Sequence, residues 1–132
     1  MNLLVDTNIF LEVLLEQART EEAKDFLSEV SNHDFFISDF SLHSIGLILL
    51  RRNKADAFRK FLADMILGAG TKVAFLKADE MVGVINHAAT FNLDFDDAYQ
   101  YATAEKYDLT LVSFDRDFDK TARGRSEPAA IK

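Results

Sequence analysis

Residues 3–8 read Leu3-Leu4-Val5-Asp6-Thr7-Asn8. A short apolar run that stops on a carboxylate predicts a buried strand ending at Asp6, since an unbroken aliphatic stretch suits a strand covered on both faces. A helical apolar pattern (Ile9, Phe10, Val13, Leu14) begins at once and is expected to carry a helix from Asn8 to about Gln17. Ligands of open α/β sheets bind in the crevice beyond the carboxyl ends of the strands, so Asp6 stands where chemistry is usually placed. A carboxylate directly after an apolar strand is also costly to desolvate unless something pairs with it.

The alternation of strand and helix continues along the chain. Further strand-like segments are 34–38, 72–75 and 110–113, each short, apolar and bounded by polar or turn residues. Thr20 is expected to cap a helix with Glu21 and Glu22 in its first turn, and Ser38 or Ser41 to open another that runs to Arg52. Residues 53–67 predict a further helix stopped by Gly68 and Gly70; Asp79 and Asp94 are expected to cap two more, ending near Phe91 and Tyr107. No repeat or linker-like run interrupts this order. Strands alternating with helices imply parallel pairing, so residues 1–132 are expected to form a single α/β domain, a three-layer α/β/α sandwich with a small, mostly parallel sheet.

Composition narrows the function classes. With 132 residues, 48% of them hydrophobic, and a single proline, the chain suits a compact globule with a real core. It has no cysteine, which removes disulfides, thiolate metal sites and a cysteine nucleophile and fits a cytoplasmic protein. The amino terminus lacks the basic region of a signal peptide, and no apolar stretch reaches the ~18 residues of a membrane span. A net charge of −7 argues against a simple nucleic-acid binder with a basic footprint, but not against one that approaches through metal ions.

Acidic residues cluster at Asp94, Asp96 and Asp97 and at Asp115, Asp117 and Asp119. Asp115, like Asp6, follows a strand, and Asp97 falls in the first turn of the helix that starts near Asp94. Three carboxylates converging there would repel one another unless cations bridge them. Oxygen-only donors suit Mg²⁺ or Mn²⁺, and one or two such ions activate water and neutralise a phosphodiester transition state. The bland alternatives are that the Asp94 group complements the helix dipole and that the Asp115 group is a solvated turn.

Taken together, these stretches resemble the PIN-domain family of metal-dependent ribonucleases, whose most numerous members are VapC-type toxins of toxin–antitoxin pairs. Leu4-Val5-Asp6-Thr7-Asn8-Ile9 resembles the family's opening strand and its metal-binding aspartate. Asp96-Asp97-Ala98-Tyr99-Gln100-Tyr101-Ala102-Thr103-Ala104 resembles the helix with a further acid, which puts that role on Asp97. Leu111-Val112-Ser113-Phe114-Asp115-Arg116-Asp117-Phe118 resembles the late strand and loop, with Asp115 as the last acid and Ser113 as a supporting hydroxyl. One position departs: a glutamate six residues beyond a serine is usual, and counting from Ser38 this chain has Ser44. Asp117 is the residue placed to compensate, while Asp39 is expected to point elsewhere.

The resemblance implies catalytic Asp6, Asp97 and Asp115; a Mg²⁺ or Mn²⁺ site formed by those three with Asp117; and Asn8, Ser44 and Ser113 in support. It further implies an RNA substrate, a small antitoxin that inserts a basic side chain among the acids, and a homodimer. Ser44 motivates the alternative of a degenerate PIN-like module that binds RNA or protein without cutting. A phosphoacceptor domain fits poorly: Asp6 is followed by Thr7-Asn8 rather than a second aspartate at the spacing of a dehalogenase-type nucleophile, and Ser113-Phe114-Asp115 lacks a receiver's lysine. Basic side chains concentrate at Arg51, Arg52, Lys54, Arg59 and Lys60, and again at Lys120, Arg123 and Arg125. Either group is a solvated face or a grip for RNA phosphates. The 12 phenylalanines are expected in the core, with Phe114 the exception that stacking would require.

Overall fold

The computed structural model describes all residues, Met1–Lys132. Strands β1 (Asn2–Val5), β2 (Asp34–Ser38), β3 (Lys72–Ala74) and β4 (Thr110–Val112) form one sheet in the order β3-β2-β1-β4. Every pair is parallel; Leu4, for example, lies between Phe36 of β2 and Leu111 of β4. Parallel neighbours require long crossovers, here supplied by six helices: α1 (Thr7–Leu14), α2 (Thr20–Leu27), α3 (Asp39–Arg51), α4 (Ala55–Phe61), α5 (Met81–Phe91) and α6 (Phe95–Tyr107).

Side chains alternate across the sheet with a period of two, and each face carries its own core. Leu3, Val5, Phe35, Ile37 and Val112 pack with Ile9, Phe10, Phe26, Ile45, Leu49 and Phe61 from α1 to α4. Leu4 and Leu111 point the other way, to Val84, Ala98, Tyr101 and Ala104 of α5 and α6. The molecule is therefore the three-layer α/β/α sandwich that the strand–helix alternation implies.

Several element ends differ from expectation. Helix α1 stops at Leu14 because Glu16 takes a left-handed φ of 51°. Arg19, not Thr20, occupies the cap position of α2; the Thr20 hydroxyl instead donates to the carbonyls of Glu12 and Gln17, tying α2 to the end of α1. Left-handed Asn53 (φ 61°) separates α3 from α4, and beyond Phe61 the expected helix continues as a π-helical segment, Leu62–Gly68. Asp79 caps nothing: it lies inside a 3-10 turn, Ala78–Glu80, where the Lys77 N–H donates to Glu80. Asp94 holds the cap position of α6 but makes no side-chain capping bond.

The segment after β4 returns to the sheet. Ser126 bridges Val112, the Ser113 N–H donates to the Ser126 carbonyl at 3.0 Å, and the Ser126 N–H donates to the Leu111 carbonyl at 2.8 Å. This strap covers the open edge of β4, an edge that would otherwise expose unpaired backbone groups. It also consumes the basic residues nearby: Arg125 donates to the Ser113 carbonyl and pairs with Asp119, Arg123 pairs with Asp108, and Lys120 donates to the Asn92 carbonyl. The tail is thus a fastening rather than a free basic surface. No helix is long and apolar enough to cross a membrane.

Leu4 is fully buried on the central strand. Leu4→Ala is expected to lower unfolding free energy by about 2–5 kcal/mol through lost burial and a residual cavity, measured by denaturant titration.

Candidate active site

Because β1 is flanked by β2 on one side and β4 on the other, the chain reverses its direction of travel across the sheet at β1, and a crevice opens beyond the strand ends. Asp6 sits at this point. Its N–H still belongs to the ladder, donating to the Val112 carbonyl at 3.0 Å. Its side chain caps α1 by accepting the Thr7 N–H at 2.8 Å. The residue is only 6% exposed. Oδ2 accepts the Ser113 hydroxyl at 2.6 Å and Oδ1 accepts the Gln100 amide at 2.9 Å. Burial pushes the Asp6 pKa up; the donors Ser113, Gln100 and Thr7 pull it back, and the charge of Asp115 raises it again.

Ser113 is the hinge between Asp6 and the last acid. Besides donating to Asp6 it accepts the Asn8 side-chain amide at 3.2 Å and the Asp115 N–H at 3.0 Å. Asn8 also accepts the Phe114 N–H at 3.3 Å. Asn8 therefore supports Asp6 through Ser113 rather than by contact. Asp115 opens a 3-10 turn, Arg116–Lys120, by accepting the Asp117 N–H at 2.9 Å, and this turn swings Asp117 back toward Asp97 in the first turn of α6.

Carboxylate oxygens of Asp97, Asp115 and Asp117 lie within 4.8 Å of one another, and Asp97 also joins Asp94 and Asp96 in a second set. Asp6 is outside both sets but shares a cavity of about 420 Å³ with Asp97 and Asp115, which Asn8, Ser44 and Gln100 also line. Asp117 stands beside that cavity and not in its lining. No lysine, arginine or histidine lines it. The Asp97 carboxyl is accordingly pushed up to about 7, first by burial and then by the charges of Asp96, Asp115, Asp6 and Asp117. A set of hard oxygen donors with no internal counter-charge fits a divalent cation such as Mg²⁺ or Mn²⁺.

Asp39 does point elsewhere: it accepts the Tyr99 hydroxyl at 2.6 Å and the Phe40 N–H at 2.8 Å. Ser44, where the resemblance leads one to expect a glutamate, lines the cavity from α3 and adds no charge. Phe114 is no open stacking platform, since the Arg19 guanidinium covers its ring at 3.9 Å. Of the basic group on α3 and α4, Arg59 pairs with Asp56, while Arg51 lies with His43 in an adjacent apolar groove containing Leu47, Leu50 and Phe58. Sequence reading missed Thr7, Ser41 and Gln100. No sequence signal marked them, since the burial of Gln100 within the run 98–104 of α6 emerges only in the fold.

A doubly covered parallel sheet with carboxylates gathered at its switch point defines an α/β protein with a metal-type acidic centre. The chain belongs to the PIN domain family, whose model matches residues 3–124. Among curated proteins, none matches the sequence significantly. Solved structures share the fold. VapBC2 from Rickettsia felis, bound to a promoter DNA fragment, has a TM-score of 0.76 at 16% identity, over 96% of this chain and 98% of the other. FitAcB from Neisseria gonorrhoeae gives 0.72 at 23% identity, covering 98% and 99%. VapC20 from Mycobacterium tuberculosis, a sarcin-ricin-loop-cleaving toxin, gives 0.71 at 21% identity, covering 95% and 97%.

The raised Asp97 pKa has a stability consequence of defined sign. Between the ordinary value of 3.8 and about 7, the folded chain holds a proton that the unfolded chain releases, so this contribution falls as pH rises through that window. Without divalent cations, wild-type protein is expected to lose thermal stability relative to Asp97→Asn from roughly pH 4 to 8. Parallel melting curves in chelator check this; an unchanging difference contradicts it.

Proposed function

We propose that this protein is a Mg²⁺- or Mn²⁺-dependent endoribonuclease, the toxin of a toxin–antitoxin pair acting in the cytoplasm. The observation that carries this is the convergence of Asp6, Asp97 and Asp115, residues far apart in the chain, on one cavity that contains no basic side chain. When bound, the cation would activate water and neutralise the charge that builds on a phosphodiester during in-line displacement. Asp6, Asp97 and Asp115, which share the cavity, would hold it together with Asp117, whose carboxylate lies beside those of Asp97 and Asp115. The Asn8–Ser113 clamp keeps Asp6 and Asp115 in a fixed relation, so little reorganisation accompanies binding. Ser44 offers a hydroxyl to the substrate from the opposite wall.

RNA as substrate accords with the likeness to VapC20, described as a toxin that cleaves the sarcin-ricin loop. An antitoxin partner accords with the VapBC2 and FitAB assemblies. Its inhibitory element would place a lysine or arginine among acids that have no cationic neighbour of their own. A homodimer is part of the same proposal.

Purified protein is expected to cleave RNA only with Mg²⁺ or Mn²⁺, and Asp97→Asn to abolish cleavage while leaving the fold intact by circular dichroism. Metal-independent cleavage, or full activity of the variant, overturns the proposal.

Ser44 supports a second reading, a PIN module that binds without cutting, because the α3 wall carries no charge. Ser44→Glu separates the two. A carboxylate there raises the ligand charge that sets cation affinity, and is expected to tighten Mn²⁺ binding about tenfold and raise cleavage. Cleavage that appears only in the variant favours the binding module.

A further inference from the structure

Gln100 is fully enclosed, 2% exposed, on the face of α6 turned toward the sheet. Nothing in the proposed chemistry uses it, yet its amide makes three polar contacts. Nε2 donates to Asp6 Oδ1 and to the Ser41 hydroxyl, both at 2.9 Å, and Oε1 accepts the Ser38 hydroxyl. The direction of the amide follows from its partners. An ionised carboxylate is an acceptor only, so the NH₂ end must face Asp6 and the carbonyl must face Ser38. Ser38 has one proton, and giving it to Gln100 leaves its oxygen free to accept the Ser41 N–H at 3.0 Å. Ser41 in turn accepts the Thr7 hydroxyl at 2.7 Å. The amide is therefore locked from both ends, by Ser38 of β2, by Ser41 of α3 and by Asp6 at the cap of α1.

We infer that Gln100 is a positioning residue for Asp6, fixing the carboxylate so that Oδ2 is the oxygen presented to a divalent cation. The lone pairs make the case. Oδ1 accepts two donors, the Thr7 N–H and Gln100, which fills its capacity; Oδ2 accepts only Ser113 and keeps one site open. Without Gln100, Oδ1 would be a buried acceptor lacking one partner, and only Thr7 and Ser113 would be left to fix the carboxylate's orientation. Partners behind a ligand orient it and stabilise its charged form, and their loss typically costs 10–100-fold in metal affinity. Met is the appropriate replacement, since it keeps the length and flexibility of Gln and removes both polar ends.

This inference rests on the proposed cation site, so the test measures the two separately. Mn²⁺ is titrated into the wild-type protein and Gln100→Met, with free ion followed by electron paramagnetic resonance and folding by circular dichroism. Wild type is expected to take up Mn²⁺, and the folded variant to bind about 10–100-fold more weakly. A merely structural glutamine would lower the melting temperature and leave this affinity unchanged. No uptake by wild type overturns the cation site and this inference with it. Uptake by wild type with equal affinity in the variant overturns the role of Gln100 alone. Should the variant not fold, the wild-type protein still decides. Mg²⁺ titration is expected to shift the Gln100 side-chain amide resonances saturably, together with the Asp115 backbone amide, and an unmoved Gln100 amide beside a shifting Asp115 overturns the inference.

Discussion

The structure depends on a carboxylate that has been taken out of water. Asp6 lies at the end of the central strand, and an ionised group in that position carries a large desolvation penalty unless donors replace the lost solvent. Those donors come from the start of α1 (Thr7), from α6 (Gln100) and from the residue after β4 (Ser113). Meeting the needs of one side chain thereby joins a helix on each face of the sheet to two adjacent strand ends. Through Gln100 the same network reaches Ser38 and Ser41, at the junction of β2 and α3. The bonds that make Asp6 tolerable are the ones that set the shape of the crevice.

A second constraint is the uneven pairing of acids. Away from the crevice, several carboxylates have cations: Glu80 meets Lys106 at 2.7 Å, Glu127 meets Arg19 and Arg125, and Asp119 meets Arg125. The pKa values of Glu80 and Glu127 are lowered, chiefly by hydrogen bonds from Lys106 and Arg19 respectively. Within the crevice the sign reverses, and Asp97 is raised because it has only burial and like charges around it. The chain contains 15 lysines and arginines, so cations are not scarce; they are placed elsewhere. Perturbation of this kind, concentrated in one cleft, marks a candidate functional site and runs against stability.

What the sequence disclosed follows from how local each signal is. Asp6 and Asp115 were legible because each ends an apolar run, and Asp97 because it opens a long helix; the sandwich was legible because strands and helices alternate at βαβ spacing. Gln100 was not, since its partners lie 59 to 94 residues away and no pattern within α6 announces them. The strap through Ser126 left no trace for a similar reason: a single bridge has no periodicity. Thr20 and Asp79 were misread as caps because their side chains compete for other groups, or yield to Glu80, in ways that composition alone does not distinguish.

Ser44 gives the crevice its asymmetry. Asp96, Asp97 and Asp115 stand on the side built by α6 and the turn after β4, whereas Ser44, Phe40, Ile48 and Leu11 form the side built by α1 and α3. A glutamate at residue 44 would charge both walls; serine leaves one wall neutral. Negative charge is then concentrated on the α6 side of the cavity instead of surrounding it. The neutral wall continues along α3, where His43 and Arg51 line a neighbouring groove. Asp117, positioned by its N–H bond to Asp115, adds a carboxylate beside the cavity on the acidic side. Serine at residue 44 thus confines charge to one side of the cleft, where the carboxylates of Asp97, Asp115 and Asp117 lie within 4.8 Å of one another.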